Sequence, residues 1–135
     1  MGQHCVRASS NLQVSVGLNV AEAEYYALVD GGARGLGMQT FMRDLGLDLS
    51  LVVESDSSSA KSFATRLGLG KQRHVQTRYL WLQERVAAQD LIISKIASGN
   101  NVSDILTKVV STATLNAHMR ALHVEDGYSH RQYRI

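Results

Sequence analysis

The sequence predicts an α/β fold, a mixed sheet with helices packed against it. Three observations predict this. Val14, Val16, Leu18 and Val20 alternate with Gln13, Ser15, Gly17 and Asn19, the period of two expected of a strand with one buried face. Two short apolar runs, residues 49–55 and 91–96, read as further strands. Helical patterns separate these runs, and early antiparallel strands followed by crossover helices give a mixed sheet.

Taken in order, residues 4–8 are expected to form the hairpin partner of strand 14–20, with Ser9-Ser10-Asn11 supplying the turn. Leu28, Gly32, Leu36, Phe41 and Leu45 approximate one stripe of a long helix that Gly46 ends. Gly31, Gly32, Gly35 and Gly37 fall inside it. Each costs roughly 1 kcal/mol relative to Ala, so they need a packing reason or a break in the helix. Residues 49–55 form a buried strand ending at Asp56, and Ser57, Ser58 and Ser59 are N-cap candidates for a helix to about Leu67. Gly68 and Gly70 interrupt the chain before an amphipathic segment over residues 75–88. Strand 91–96, a Ser98-Gly99-Asn100-Asn101 loop, a short helix from near Ser103 and a last helix over 114–122 follow. The end beyond Glu125 is polar.

At 135 residues the chain has the size of one domain, and 44% hydrophobic with 19% charged residues is a globular balance. Average usage predicts about seven prolines, yet there are 0. No run approaches the ~18 apolar residues of a membrane span, and residues 1–7 lack a signal-peptide pattern. The expectation is an intracellular protein, cytoplasmic or nuclear, neither secreted nor membrane-bound. A single Cys5 excludes an intramolecular disulfide, and in a strand it would be core. The net charge of +2 is too small to indicate a nucleic-acid partner by itself. Two stretches are locally basic: Lys71, Arg73, Arg78 and Arg85 against Glu84, and Arg120, Arg131 and Arg134 with His118, His123 and His130. Charge alone favours a solvated helix face as the account of either run.

Most chemical signatures fail. Gly35-Leu36-Gly37 is followed by Thr40 where a dinucleotide loop needs glycine, and Gly70-Lys71 lacks both the earlier glycine and the hydroxyl residue of a P-loop. No histidine pair has zinc-protease spacing. The carboxylates are more informative. Glu24 falls in the first turn of the long helix, Asp56 at the end of a strand, and Asp104 in the first turn of a short helix. Element termini at a sheet edge can aim such groups at one point, and converging carboxylates call for a divalent cation with oxygen ligands. Each also has a local reading, Glu24 as a dipole partner and Asp56 and Asp104 as caps.

Val20-Ala21-Glu22-Ala23-Glu24-Tyr25-Tyr26-Ala27-Leu28 resembles the S-T-E-A-E-Y-x-A-L signature of the ribonuclease H domain in the Pol polyprotein of copia-type retrotransposons. Ser55-Asp56-Ser57-Ser58-Ser59-Ala60 resembles that family's C-D-N-Q-S-A, and Val102-Ser103-Asp104-Ile105-Leu106-Thr107-Lys108 its L-A-D-I-L-T-K. Between them Arg73-His74-Val75-Gln76-Thr77-Arg78-Tyr79 is similar to T-K-H-I-D-I-R-Y. The likeness covers about residues 2–108, and the four motifs occur in the family's order.

The resemblance implies a ribonuclease H-like mixed sheet with flanking helices over residues 2–110, and a C-terminal helix and polar tail over 111–135. It makes Glu24, Asp56 and Asp104 both catalytic and metal-binding. They would hold Mg²⁺ or Mn²⁺, two ions in the active form, for hydrolysis of the RNA strand of an RNA–DNA hybrid. Lys71, Arg73, His74 and Arg78 become nucleic-acid contacts that position phosphates without reading sequence. His74 reads equally well as a packing or capping residue, and Trp81 is expected in the core. The implied partners are the hybrid and an upstream reverse transcriptase portion of a Pol polyprotein.

The departures are specific. The family's first acidic ligand comes from an opening strand that has no counterpart here, since no aspartate precedes Glu22. Glu22 is a poor substitute because two helical residues turn it about 200° from Glu24. Ser57 and Ser58 replace the family's Asn and Gln, and Gln76 its Asp. Three alternatives therefore stand together: an active ribonuclease H-like domain, a catalytically dead remnant that at most binds nucleic acid weakly, and a domain whose first strand comes from a partner chain or an upstream exon.

Overall fold

The computed structural model describes residues 5–13, 17–70 and 79–124. The chain divides into two compact units, Gln13–Ser98 and the combination of Met1–Leu12 with Gly99–Ile135. Nothing in the composition marks a break at residue 98.

In the first unit, helix α1 runs Val20–Asp44. Asn19 starts it: its backbone is extended, and its side chain accepts the Glu22 N–H at 2.9 Å. Glu22 reaches back in turn, accepting the Leu18 N–H at 2.9 Å and the Tyr26 hydroxyl. This is a capping box displaced by one residue. Leu45 caps the other end and Gly46 takes φ +81°, the left-handed position expected there. The helix does not break at its glycines. A Cβ on Gly32 would stand 2.9 Å from Leu82 Cδ1, and one on Gly35 2.8 Å from Leu51 Cδ1. Close approach of neighbouring chain explains these two, whereas Gly31 and Gly37 face open space.

The buried face of α1 is Tyr25, Tyr26, Leu28, Val29 and Gly32. Phe41 and Leu45, placed on the stripe by sequence, are more than half exposed. Five residues separate Leu36 from Phe41, and that step turns the helix about 140° off the stripe.

Strands β1 (Val52–Ser55) and β2 (Ile92–Lys95) pair in parallel, Val52 opposite Ile92 and Ser55 opposite Lys95. Helices α2 (Ser58–Ala64) and α3 (Trp81–Ala87) lie between them in sequence. The Ile92 N–H bonds to the Leu51 carbonyl and the Ile96 N–H to that of Ser55. In a parallel ladder this directs the backbone groups of Val52 and Glu54 away from β2. Val53 and Ile93 pack into the core, and Val52 and Ile92 are exposed.

The core joins α1, α2, α3 and the residue just before β2 through Tyr25, Phe63, Leu82 and Leu91, all essentially inaccessible. Tyr25 and Phe63 meet edge to face with centroids 4.5 Å apart. Trp81 packs against this cluster, as expected. The Tyr25 hydroxyl donates to the Tyr79 carbonyl at 2.7 Å, and burial, with Tyr26 adding to it, pushes its pKa far above the usual tyrosine range. Gln83 is another buried polar group here. Its Nε2 donates to the Phe63 and Gly68 carbonyls and its Oε1 accepts the Gly68 N–H, so one amide ties the end of α2 to α3.

The described part of the second unit contains a 3-10 turn, Val102–Leu106, and helix α4, Thr112–Ala121. Ser111 caps α4 by accepting the Thr114 N–H. His118 is buried, with Nε2 3.1 Å from the Gly99 carbonyl oxygen.

The expected N-terminal hairpin is not formed by the described residues. Residues 5–13 carry no strand, and Cys5 is exposed in irregular chain with its N–H on the Leu122 carbonyl. Residues 17–19 bend into α1 because Asn19 caps it, and Gly17 packs so closely on Ala23 that a Cβ would meet Ala23 N at 2.8 Å. Val14, Ser15 and Val16 lie outside the described residues, as do 71–78, which hold the start of the segment expected over 75–88, and the chain from Glu125. α2 ends at Ala64, three residues before Leu67. Two parallel strands flanked by helices are compatible with an α/β class and do not by themselves show a ribonuclease H-like sheet.

Candidate functional site

Glu24 lies in the second turn of α1, not the first, and is exposed while Glu22 is buried. The two residues face opposite ways, as the helical angle requires. Glu22 is committed to the helix start by its bonds to Leu18 and Tyr26. Glu24 has no hydrogen bond or ion pair to any described residue.

Asp56 follows β1 directly and is half-buried. It is not the cap of α2. Ser57 takes that role, its Oγ accepting the Ala60 N–H at 3.2 Å, and Ser55 Oγ holds the Ser57 N–H at 3.1 Å. The serines thus occupy the turn's capping positions, and the Asp56 carboxylate has no partner among the described residues. Lys95, in register with Ser55, ends β2 and donates to Ser58 Oγ. The sequence reading did not single out this lysine at the carboxyl end of the sheet, which stands within the apolar run 91–96.

Asp104 lies in the 3-10 turn of the second unit. Asn101 is the cap there, accepting the Ser103 N–H. The Asp104 carbonyl receives the N–H of both Thr107 and Lys108, and this turn returns the Lys108 ammonium to Asp104 Oδ1 at 2.9 Å. The i,i+4 spacing of Asp and Lys was the signal for this pair. Lys71, Arg73, His74 and Arg78 lie outside the described residues.

The donor chemistry of Glu24, Asp56 and Asp104 suits a hard divalent cation, since all three offer carboxylate oxygen. Among the described residues of neither unit do three or more His, Cys, Asp or Glu side chains gather as a metal-binding group. The capping roles open to Asp56 and Asp104 are filled by Ser57 and Asn101.

Over 103 residues, 75% of its length, the chain is 36% identical to a retrovirus-related Pol polyprotein from transposon TNT 1-94 of Nicotiana tabacum. The match supports derivation from a retrotransposon Pol. It spans 8% of that polyprotein. No protein-family model matches the chain, and no solved structure matches it significantly. No helix among the described residues is long and apolar enough to cross a membrane.

Proposed function

We propose that this Pol-derived chain is a ribonuclease H-like segment that hydrolyses the RNA strand of RNA–DNA hybrids, with Glu24, Asp56 and Asp104 holding Mg²⁺ or Mn²⁺. The observation that supports the reading is that Glu24 and Asp56 have no hydrogen-bond or ion-pair partner among the described residues, and that other residues do the capping beside Asp56 and Asp104. Glu24 is exposed opposite its buried neighbour Glu22, and Ser57 and Asn101 do the capping beside Asp56 and Asp104. When bound, such cations activate water for in-line attack and offset charge on the attacking and leaving oxygens. Lys71, Arg73, His74 and Arg78 bind phosphates of the hybrid in this proposal, without base specificity. Within a polyprotein the natural neighbour is the reverse transcriptase portion that makes the hybrid.

A second reading is a non-catalytic remnant that binds nucleic acid. It is favoured by the Lys108 ammonium already on Asp104 and by Ser57, Ser58 and Gln76 standing where the family motif has other residues. One experiment separates the two. An end-labelled hybrid is incubated with the folded chain and Mn²⁺, and the first reading expects cleavage that Asp56→Asn abolishes. Salt-dependent binding with no cleavage selects the second.

A further inference from the structure

We infer that the cavity beside α4 is a binding site for a small neutral aromatic molecule that carries an N–H donor, with His118 Nδ1 as the acceptor. The inference does not depend on Glu24, Asp56 or Asp104. The cavity lies within the second unit and has a volume of about 470 Å³, in the range of small-molecule sites. Ala113, Ala117 and Ala121 of α4 form one wall, since residues four apart line up along one helix face. Gly99, Asn100 and Val102 line it from the preceding 3-10 turns.

His118 is the observation that points to a ligand. It is 6% exposed and belongs to the cavity wall. Its Nε2 stands 3.1 Å from the Gly99 carbonyl oxygen. A carbonyl only accepts, so Nε2 carries the hydrogen, and Nδ1 of the neutral ring presents a lone pair. Among the described residues Nδ1 is the one buried side-chain polar atom with no hydrogen-bond partner. A buried acceptor without a donor is costly, and a ligand that brings an N–H relieves the cost after a small turn of the ring. No Asp, Glu, Lys or Arg stands among the described lining residues, so a charged occupant would be left unpaired and a neutral one is favoured. The three alanines give a shallow apolar wall against which a flat ring fits.

The test titrates indole and N-methylindole into the isotope-labelled full chain and follows the amide signals of Ala117 and His118 by nuclear magnetic resonance. N-methylindole keeps the flat apolar body and lacks the N–H. Indole should shift both signals saturably and bind about fivefold more tightly than N-methylindole, the value of one net hydrogen bond. His118→Gln, whose amide can still donate to the Gly99 carbonyl but offers no acceptor at the Nδ1 position, should bind the two probes alike. Ala117→Leu, which fills the cavity, should bind neither. Equal affinity of the wild type for the two probes overturns the inference, because the cavity then takes apolar rings without using Nδ1. Absence of saturable shifts with indole also overturns it and leaves Nδ1 to water. These two outcomes need only the wild type, so they decide the matter even where a variant fails to fold. A preference for indole that survives His118→Gln, or indole binding that survives Ala117→Leu, places the probe elsewhere and overturns the inference as well.

Discussion

Among the described residues the ten buried apolar side chains all belong to the unit Gln13–Ser98, whereas His118 is the only buried residue among residues 99–124. Each large core side chain contributes about 1.5–3 kcal/mol by leaving water. Helix caps such as Ser111 contribute about 1 kcal/mol each. The first unit is thus held by a shared core and the described part of the second by hydrogen bonds and an ion pair, and their responses to mutation should differ in kind. Glu24 and Asp56 stand on the packed unit, while Asp104 depends on a turn and an ion pair.

The largest effect should come from Phe63→Ala, which empties the centre of the packed unit and should lower its unfolding free energy by about 3–5 kcal/mol in urea titrations. A much smaller loss would mean that the cluster around Tyr25 is not the main support. Gly32→Ala should cost about 1–3 kcal/mol, because its Cβ enters space held by Leu82, whereas Gly31→Ala, open to solvent, should gain about 0.5–1 kcal/mol. Equal responses at the two glycines would break the account of how α1 packs.

Tyr25→Phe should cost about 1 kcal/mol through the lost bond to the Tyr79 carbonyl. It should also change the alkaline limb. The folded hydroxyl has its pKa raised above the unfolded value of about 10, so its contribution is complete below that pH and is lost as pH climbs towards the folded value. The wild type should therefore lose stability above about pH 10 more steeply than Tyr25→Phe, as chemical denaturation across pH would record. The smallest global effect is expected from Ser111→Ala. It should speed amide exchange in α4 about fivefold, near 1 kcal/mol locally, and leave the urea midpoint of the packed unit unchanged.

Much of the packed unit was legible because its signals are periodic or terminal. The two strands, the end of α1 at Gly46 and the helix after the serines follow from runs, turns and caps that one stretch of sequence contains. The Glu22 and Glu24 contrast follows from helical angle alone. Other features were settled by contacts that no local pattern holds. The alternation leading to Val20 looked like a strand, but Asn19 takes the capping conformation and draws Val20 into a helix. Phe41 was misplaced because an i+5 step leaves the stripe. In the candidate site, the positions of Asp56 and Asp104 at element ends were readable and Ser57 stood among the cap candidates, while Asn101 was not singled out as the cap beside Asp104. The Asp104 and Lys108 pair was visible as spacing and acquires meaning only once the turn closes.

The outward backbone of β1 has a consequence for solubility. Among the described residues, Val52 and Glu54 present unpaired N–H and C=O groups beside exposed Val52 and Ile92, the kind of margin that recruits other strands. The margin is four residues long and carries a carboxylate, Glu54, within it. Strands of neighbouring copies laid alongside would crowd their Glu54 charges together and gain few bonds in return. The same residue that leaves the sheet open therefore discourages it from growing into a fibril.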